Sequence, residues 1–258
     1  METNRVKRQL QVGTPSIGTW LTVPSPFVAE TLAAAGFDWL TVDMEHSPFD
    51  WHTAALMFMA VRSQGGVPLV RIPWNTGENI KRALDYGAWG IVVPMVNSRE
   101  EAEAAVAGAK YPPQGIRSVG GARHALSFAA KPAEYFARAN DEILVVLQIE
   151  HIRAVENVDA IVSVPGVDAV FIGPNDLAAS MGLPPGYERD EPQVVQAIRH
   201  VRERAAAHGV AAGIHCSDGA AVARRVEEGF RLLALGSDGR LLTQAAVEQL
   251  RRARREPV

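Results

Sequence analysis

The sequence predicts an α/β fold, a TIM-type (β/α)8 barrel built as one domain over residues 1–258. Three observations predict it. Short apolar runs rich in Val, Ile and Leu alternate along the chain with longer, often Ala-rich segments of helical patterning. Eight of each follow one another in order, as a closed parallel barrel requires. No Gly-rich dinucleotide fingerprint follows the first apolar run, which counts against a doubly wound open sheet.

Taken in order, the first strand is expected at 16–23 and its helix at 26–35, closed by Gly36. Strand 39–45 leads to helix 51–64 and Gly65, and strand 68–72 to helix 77–86 and Gly87. Strand 90–96 precedes helix 98–110. Residues 111–140 then break the rhythm. They begin "YPPQGIRSVGGARH" and read as an ordered, positively charged loop, long enough to expect a functional role. Strand 144–150 with helix 153–164 follows, then strand 169–173, helix 192–208 and Gly209. Strand 210–215 with helix 219–228 and Gly229, and strand 232–236 with helix 240–254, complete the set.

Bulk properties narrow the class. Hydrophobic residues make up 47% of the chain, enough for a large core. A net charge of −3 gives no electrostatic reason to expect nucleic acid or a membrane as partner. The basic run "RRARRE" at 251–256 reads as a solvated helix end, its cations opposing the helix dipole. A single cysteine, Cys216, excludes an internal disulfide and a cysteine-based zinc site. The N-terminus has no apolar signal-peptide core and no run spans a bilayer, so a cytoplasmic protein is expected.

Barrel active sites form where strands end. Reactive residues collect there: Trp20; Asp43, Glu45 and His46 in "TVDMEHSPF"; Arg71 in "PLVRIP"; Gln148 and Glu150 in "LQIE"; Asp176 in "FIGPND"; Ser237 and Asp238 in "LGSD". Period-two geometry puts Asp43 with Glu45, and Gln148 with Glu150, on shared sides of their strands. Glu150 and Asp176 end neighbouring strands ~4.8 Å apart. Two carboxylates that close repel unless a cation or proton lies between them. With no lysine beside them, a divalent metal is expected, held by two oxygen ligands with the other positions left to water and substrate. The plain alternative is that each carboxylate caps the next helix. His124, His151 and His215 read as structural, as does Cys216.

Carboxylates and an arginine at a barrel mouth suggest carbonyl chemistry. Lys7, Lys81, Lys110 and Lys131 all fall away from the strand ends, so a lysine imine is not expected. The remaining route is a metal that polarises a 2-oxo group, with Arg71 sharing the charge that develops.

The stretches "FDWLTVDMEHSPFD", "VPLVRIP", "IKRALDYGAWGIVVPMVNSREEAEAAV", "YPPQGIRSVGG", "LQIE", "AVENVDAIVSVPGVDAVFIGPNDLAASMG" and "LGSDGRLL" resemble the HpcH/HpaI aldolase family, over roughly residues 18–242. The resemblance implies a barrel of the phosphoenolpyruvate/pyruvate-binding superfamily and a class II pyruvate aldolase. Such an enzyme reversibly cleaves a 4-hydroxy-2-oxo acid to pyruvate and an aldehyde, with Mg²⁺, Mn²⁺ or Co²⁺. Lyases of the citrate lyase or malyl-CoA type, and decarboxylases of oxaloacetate like macrophomate synthase, stand as alternatives.

The resemblance also assigns roles. Glu150 and Asp176 are expected as metal ligands, and Arg71 on the 2-oxo oxygen. His46, oriented by Asp43, is expected to move the aldol proton, with Glu45 holding a water. Trp20 and Gln148 are expected in the substrate pocket, and the backbone of Gly173, Pro174 and Asn175 under the pyruvate carboxylate. A hexamer of dimers that exchange the last helix is implied. Asn175 departs from an expected Ala, and "HCSDG" departs after strand seven, so His215, Ser217, Arg123 or His124 could touch an acceptor.

Overall fold

The computed structural model of the protein describes residues 1–255; Glu256, the last residue of the basic run, and the end of the expected domain lie outside them. α1 (Arg5–Gln11) precedes the barrel. Then come β1 (Ser16–Leu21), α2 (Pro26–Ala34), β2 (Trp39–Asp43), α3 (Trp51–Ser63), β3 (Val67–Arg71), α4 (Gly77–Asp85), β4 (Gly90–Val93) and α5 (Arg99–Ala109). α6 (Arg123–Ser127) and α7 (Pro132–Glu142) form the excursion. β5 (Leu144–Ile149), α8 (Ile152–Glu156), α9 (Val158–Val162), β6 (Ala169–Ile172), α10 (Pro174–Ser180) and α11 (Pro192–Ala207) follow. β7 (Ala211–Cys216), α12 (Gly219–Glu228), β8 (Leu232–Ser237) and α13 (Asp238–Arg254) end the chain.

The eight strands close in chain order, β1 pairing with β8, and every pairing is parallel. Strand residues are buried almost throughout, because helices cover the outside and side chains fill the inside. Local chemistry starts the helices. Asp50, Thr76, Ser98, Asp218 and Ser237 each accept a backbone N–H from the first turn. Proline opens α2, α7, α10 and α11.

Two glycines make room inside the barrel. A Cβ on Gly18 would lie 2.1 Å from the Trp39 ring, and one on Gly213 would lie 2.7 Å from the Phe171 ring. Phe171 thereby sits under the open end of the barrel, edge-on to Trp20 at 5.7 Å. At the junction of the first and last strands, Asp238 accepts from the backbone of Thr22, Val23 and Gly239 and from the Thr22 hydroxyl. That knot fixes the loop after β1 against the start of α13.

The excursion is not where the sequence led us to expect function. α5 runs back from the strand C-termini, so the segment after it starts at the opposite end of the barrel. There Arg117 is fully buried, bonded to Asp85 at 2.7 Å and to the Tyr135 hydroxyl at 3.1 Å. Ser127 joins the Gly87 carbonyl to the Trp89 indole just before β4. His124 packs on Tyr135. Within this chain, Arg123 and His124 therefore stand far from the strand C-termini, and the acceptor contact considered for them is not made.

Among the described residues, no helix is long and apolar enough to cross a membrane.

Candidate active site

A cavity of about 220 Å³ opens at the C-terminal ends of the strands. Its lining includes Trp20, Asp43, His46, Arg71, Gln148, Gly173, Pro174, Asn175 and Asp176, all expected from sequence. Glu45 and Glu150 stand directly behind that lining, through Arg71 and Gln148. No lysine lines the cavity.

Asp43, the last residue of β2, pairs with Arg71, the last residue of β3, across a register that sets the two side by side. Arg71 Nε donates to Oδ1 at 2.9 Å and Nη2 to Oδ2 at 2.6 Å. Nη1 lies 3.0 Å from a Glu45 carboxylate oxygen. Two of the five guanidinium N–H bonds are therefore spent on Asp43, the contact with Glu45 is an ion pair, and the remaining N–H bonds are open to a ligand. The guanidinium also lies 4.8 Å over the Trp20 ring. Burial pushes the Asp43 carboxyl up, but the hydrogen bonds and charge of Arg71 outweigh it and hold the group below the ordinary range. Asp43 is thus a fixed anion that braces Arg71.

This corrects one expectation. Asp43 does not orient the His46 imidazole. Its Oδ1 accepts the backbone N–H groups of Glu45 and His46 instead, bending the chain sharply out of the strand. Strand alternation therefore does not place Glu45; that turn does. The His46 ring is 66% exposed, with Nε2 at 3.8 Å from a Glu45 oxygen. Glu45 is the carboxylate beside the ring.

Glu150 follows β5 and is buried. The Gln148 amide donates to one of its oxygens at 2.5 Å, and the Met95 N–H to the other at 2.8 Å. Met95 reaches that position at φ 54°, a left-handed conformation unusual for its type and a sign of strain held at the site. Gly173 is required beside it, because a Cβ there would stand 2.6 Å from Glu150 Oε2. Burial lifts the Glu150 carboxyl to about 7; Met95 opposes this, and the charges of Glu45 and Asp176 add to it. Asp176 is exposed as the third residue of α10, four residues past the end of β6.

These residues fit a divalent cation. Arg71 is held by Asp43 and Glu45, and among the described residues no cation forms an ion pair with Glu150 or Asp176, whose charges act on each other. Among the described residues, no cluster of three His, Cys, Asp or Glu side chains could hold a metal. Two carboxylates with the other positions left to water and substrate would suit a hard dication.

The carboxylate seat needs a refinement. Pro174 has no N–H, and the Gly173 N–H is bonded to the Ile149 carbonyl at 3.3 Å. The amides left at the start of α10 are those of Asn175 and Asp176.

The cavity also includes Thr22, Phe171, Tyr187, His215 and Ser237. Phe171 was missed from the sequence, although its alternation with Gly173 towards the barrel interior is the signal that could have found it. Tyr187 comes from the connection between α10 and α11, where no periodicity marks it. Ser217 does not line the cavity, and His151 caps α8 through its ring nitrogen at 3.1 Å.

Comparison with known proteins agrees with this geometry. The family model described as HpcH/HpaI aldolase/citrate lyase matches residues 16–245. A 5-keto-4-deoxy-D-glucarate aldolase of Escherichia coli O139:H28 is 42% identical over 235 residues, covering 91% of each chain. An HpcH/HpaI aldolase/citrate lyase family protein from Burkholderia cenocepacia J2315 has a structure with a TM-score of 0.92 and 36% identity, covering 98% of this chain and all of that one. An HpcH/HpaI aldolase from Desulfitobacterium hafniense DCB-2 has a TM-score of 0.86 and 35% identity, covering 95% and 96% of the two chains.

Proposed function

This chain belongs to the HpcH/HpaI aldolase/citrate lyase family, and from that premise we propose that it is a class II aldolase. It is a carbon–carbon lyase that reversibly cleaves a 4-hydroxy-2-oxo acid to pyruvate, or a related 2-oxo acid, and an aldehyde. A deoxy oxo sugar acid fits best, since the 42% identical relative is named for one. One observation carries the reading: Arg71, braced by two carboxylates, stands in a lysine-free cavity beside the acids Glu150 and Asp176, with which no cation forms an ion pair among the described residues.

The residues divide the work. The substrate carboxylate seats on the Asn175 and Asp176 amides, where the start of α10 favours an anion. The 2-oxo oxygen lies against the free N–H bonds of Arg71. Glu150 and Asp176 would hold the divalent cation, Mg²⁺, Mn²⁺ or Co²⁺, which when bound polarises the 2-oxo group. His46, with Glu45 beside its ring, takes the proton of the C4 hydroxyl. The C3–C4 bond then breaks, the aldehyde leaves, and the bonding electrons move into the 2-oxo group as an enolate. Arg71 stabilises that charge. Protonation at C3 gives the 2-oxo acid.

The last helix supports an oligomer. Of its seventeen residues only Asp238 is buried. Phe27 is 80% exposed and Leu242 68%. They border an apolar hollow of about 320 Å³ between α2 and α13. A second copy would cover this face by exchanging α13, as part of a cytoplasmic hexamer built from three dimers.

The function is tested by incubating the protein and Mn²⁺ with a racemic 4-hydroxy-2-oxo acid and following pyruvate. Metal-supported release is expected. Release of carbon dioxide from oxaloacetate with no aldol cleavage of any such acid would overturn the reading.

A further inference from the structure

We propose that Nε2 of His215 accepts a hydrogen bond from a hydroxyl on the aldehyde half of the substrate, so that the enzyme selects hydroxylated aldehydes; this rests on the aldol-cleavage reading above. His215, the next-to-last residue of β7, lines the cavity. Its ring is held between two others. Trp20 stacks on it at 5.8 Å and 17°, and Tyr187 tilts onto it at 4.9 Å. Nε2 is shut off from solvent and has no hydrogen-bond partner. A buried nitrogen left unpaired is costly, and a ligand that pairs it recovers that cost.

The protonation state fixes what the ligand must be. The Gly236 backbone lies beside the imidazole as an accepting neighbour that favours a proton on the ring. A carbonyl only accepts, so the ring proton lies on that side and Nε2 is left with its lone pair. Burial, with the charge of Arg71 added, holds the imidazole pKa down at about 3, so the ring is neutral at working pH. A neutral nitrogen acceptor repels a carboxylate and takes an O–H. The Trp20 indole N–H on the adjoining ring is also buried without a partner. A hydroxyl both donates and accepts, so it satisfies this donor and acceptor together.

The buried Nδ1 of His124 is unpaired too, but it stands away from the cavity. The unpaired nitrogens of His215 and Trp20 belong to two rings of the cavity wall. Tyr187 leans onto the imidazole from the connection between α10 and α11. Tyr187 is itself held under the Arg240 guanidinium at 5.3 Å.

The test compares glycolaldehyde with propanal, which has a methyl where glycolaldehyde has its hydroxyl. The Mn²⁺-loaded enzyme adds pyruvate to each, in native, His215→Leu and His215→Gln forms. His215→Leu is expected to lower kcat/KM for glycolaldehyde at least tenfold and to change that for propanal less than threefold. His215→Gln keeps an acceptor and recovers part of the loss. Exchange of the C3 protons of pyruvate with solvent, which needs no aldehyde, stays within twofold of native. Equal loss for both aldehydes, or no loss for glycolaldehyde, overturns the proposal alone. If the Leu variant fails to fold, a Gln variant with no preference for glycolaldehyde over propanal overturns it too. A native enzyme that makes no aldol product with either aldehyde overturns the aldol reading and this proposal with it.

Discussion

Arg71 and Asp43 are locked together by two hydrogen bonds of 2.9 and 2.6 Å at the ends of adjacent strands. The pair is buried on both sides, so its removal exposes what each half does. Asp43→Asn is expected to lower kcat roughly 100-fold, because Arg71 loses its brace and swings towards Glu45. It is also expected to cost about 3 kcal/mol of stability, the usual penalty for leaving a buried charge half-paired. Steady-state kinetics and urea unfolding check the two effects separately.

Gly173→Ala tests the packing under Glu150. The added methyl would stand 2.6 Å from the carboxylate oxygen, and the carboxylate must move. Mn²⁺ affinity should fall about 10- to 100-fold while the melting temperature changes little. Titration calorimetry measures the affinity; an unchanged value would show that Glu150 is not held by this contact.

Lys110 gives a pH signature remote from the site. Burial, with Lys7 nearby, lowers its pKa from 10.5 to about 8, although its Nζ donates to the Asn140 carbonyl at 2.5 Å. Below pH 8 the ammonium is charged in both states, and the folded chain bears the full cost. Between about pH 8 and 10.5 the unfolded chain holds a proton that the folded chain has lost, so stability rises with pH across this window. The rise amounts to about 3 kcal/mol relative to Lys110→Met, which lacks it. Urea melts of both proteins from pH 7 to 11 read it directly.

The exposed face of α13 makes a prediction about assembly. Leu242→Asp places a charge in the apolar hollow beside Phe27. Light scattering should show an oligomer for the native protein and a monomer for the variant. A native protein that is itself monomeric would remove the basis for an exchanged helix.

The barrel was legible because each strand is a short buried run and each helix carries its own cap or stop. Gly229, for example, closes α12 at φ 105°. That these reactive groups would gather at one end was legible because barrels collect them at strand ends, and "VDMEH", "VRIP" and "LQIE" all end there. Two matters were not. Alternation along β2 could not show that Asp43 turns the chain with its own oxygen and pairs with Arg71, and the resemblance alone implied the imidazole as its partner. The long excursion was expected near the site because of its length and charge. Parity would have placed it correctly: a segment that follows a helix in a (β/α)8 chain starts at the N-terminal end of the strands. Tyr187 left no sequence signal, since it reaches the cavity from a connection without periodicity.

The central claim is that Glu150 and Asp176 hold the cation on which cleavage depends. The most direct test strips native and Glu150→Gln proteins with chelator, then measures Mn²⁺ binding and pyruvate release from a 4-hydroxy-2-oxo acid in the same samples. The native protein should bind Mn²⁺ and regain release only with it. The variant should lose at least 100-fold in both. A variant that binds Mn²⁺ as tightly as native and releases pyruvate at the native rate would contradict the account.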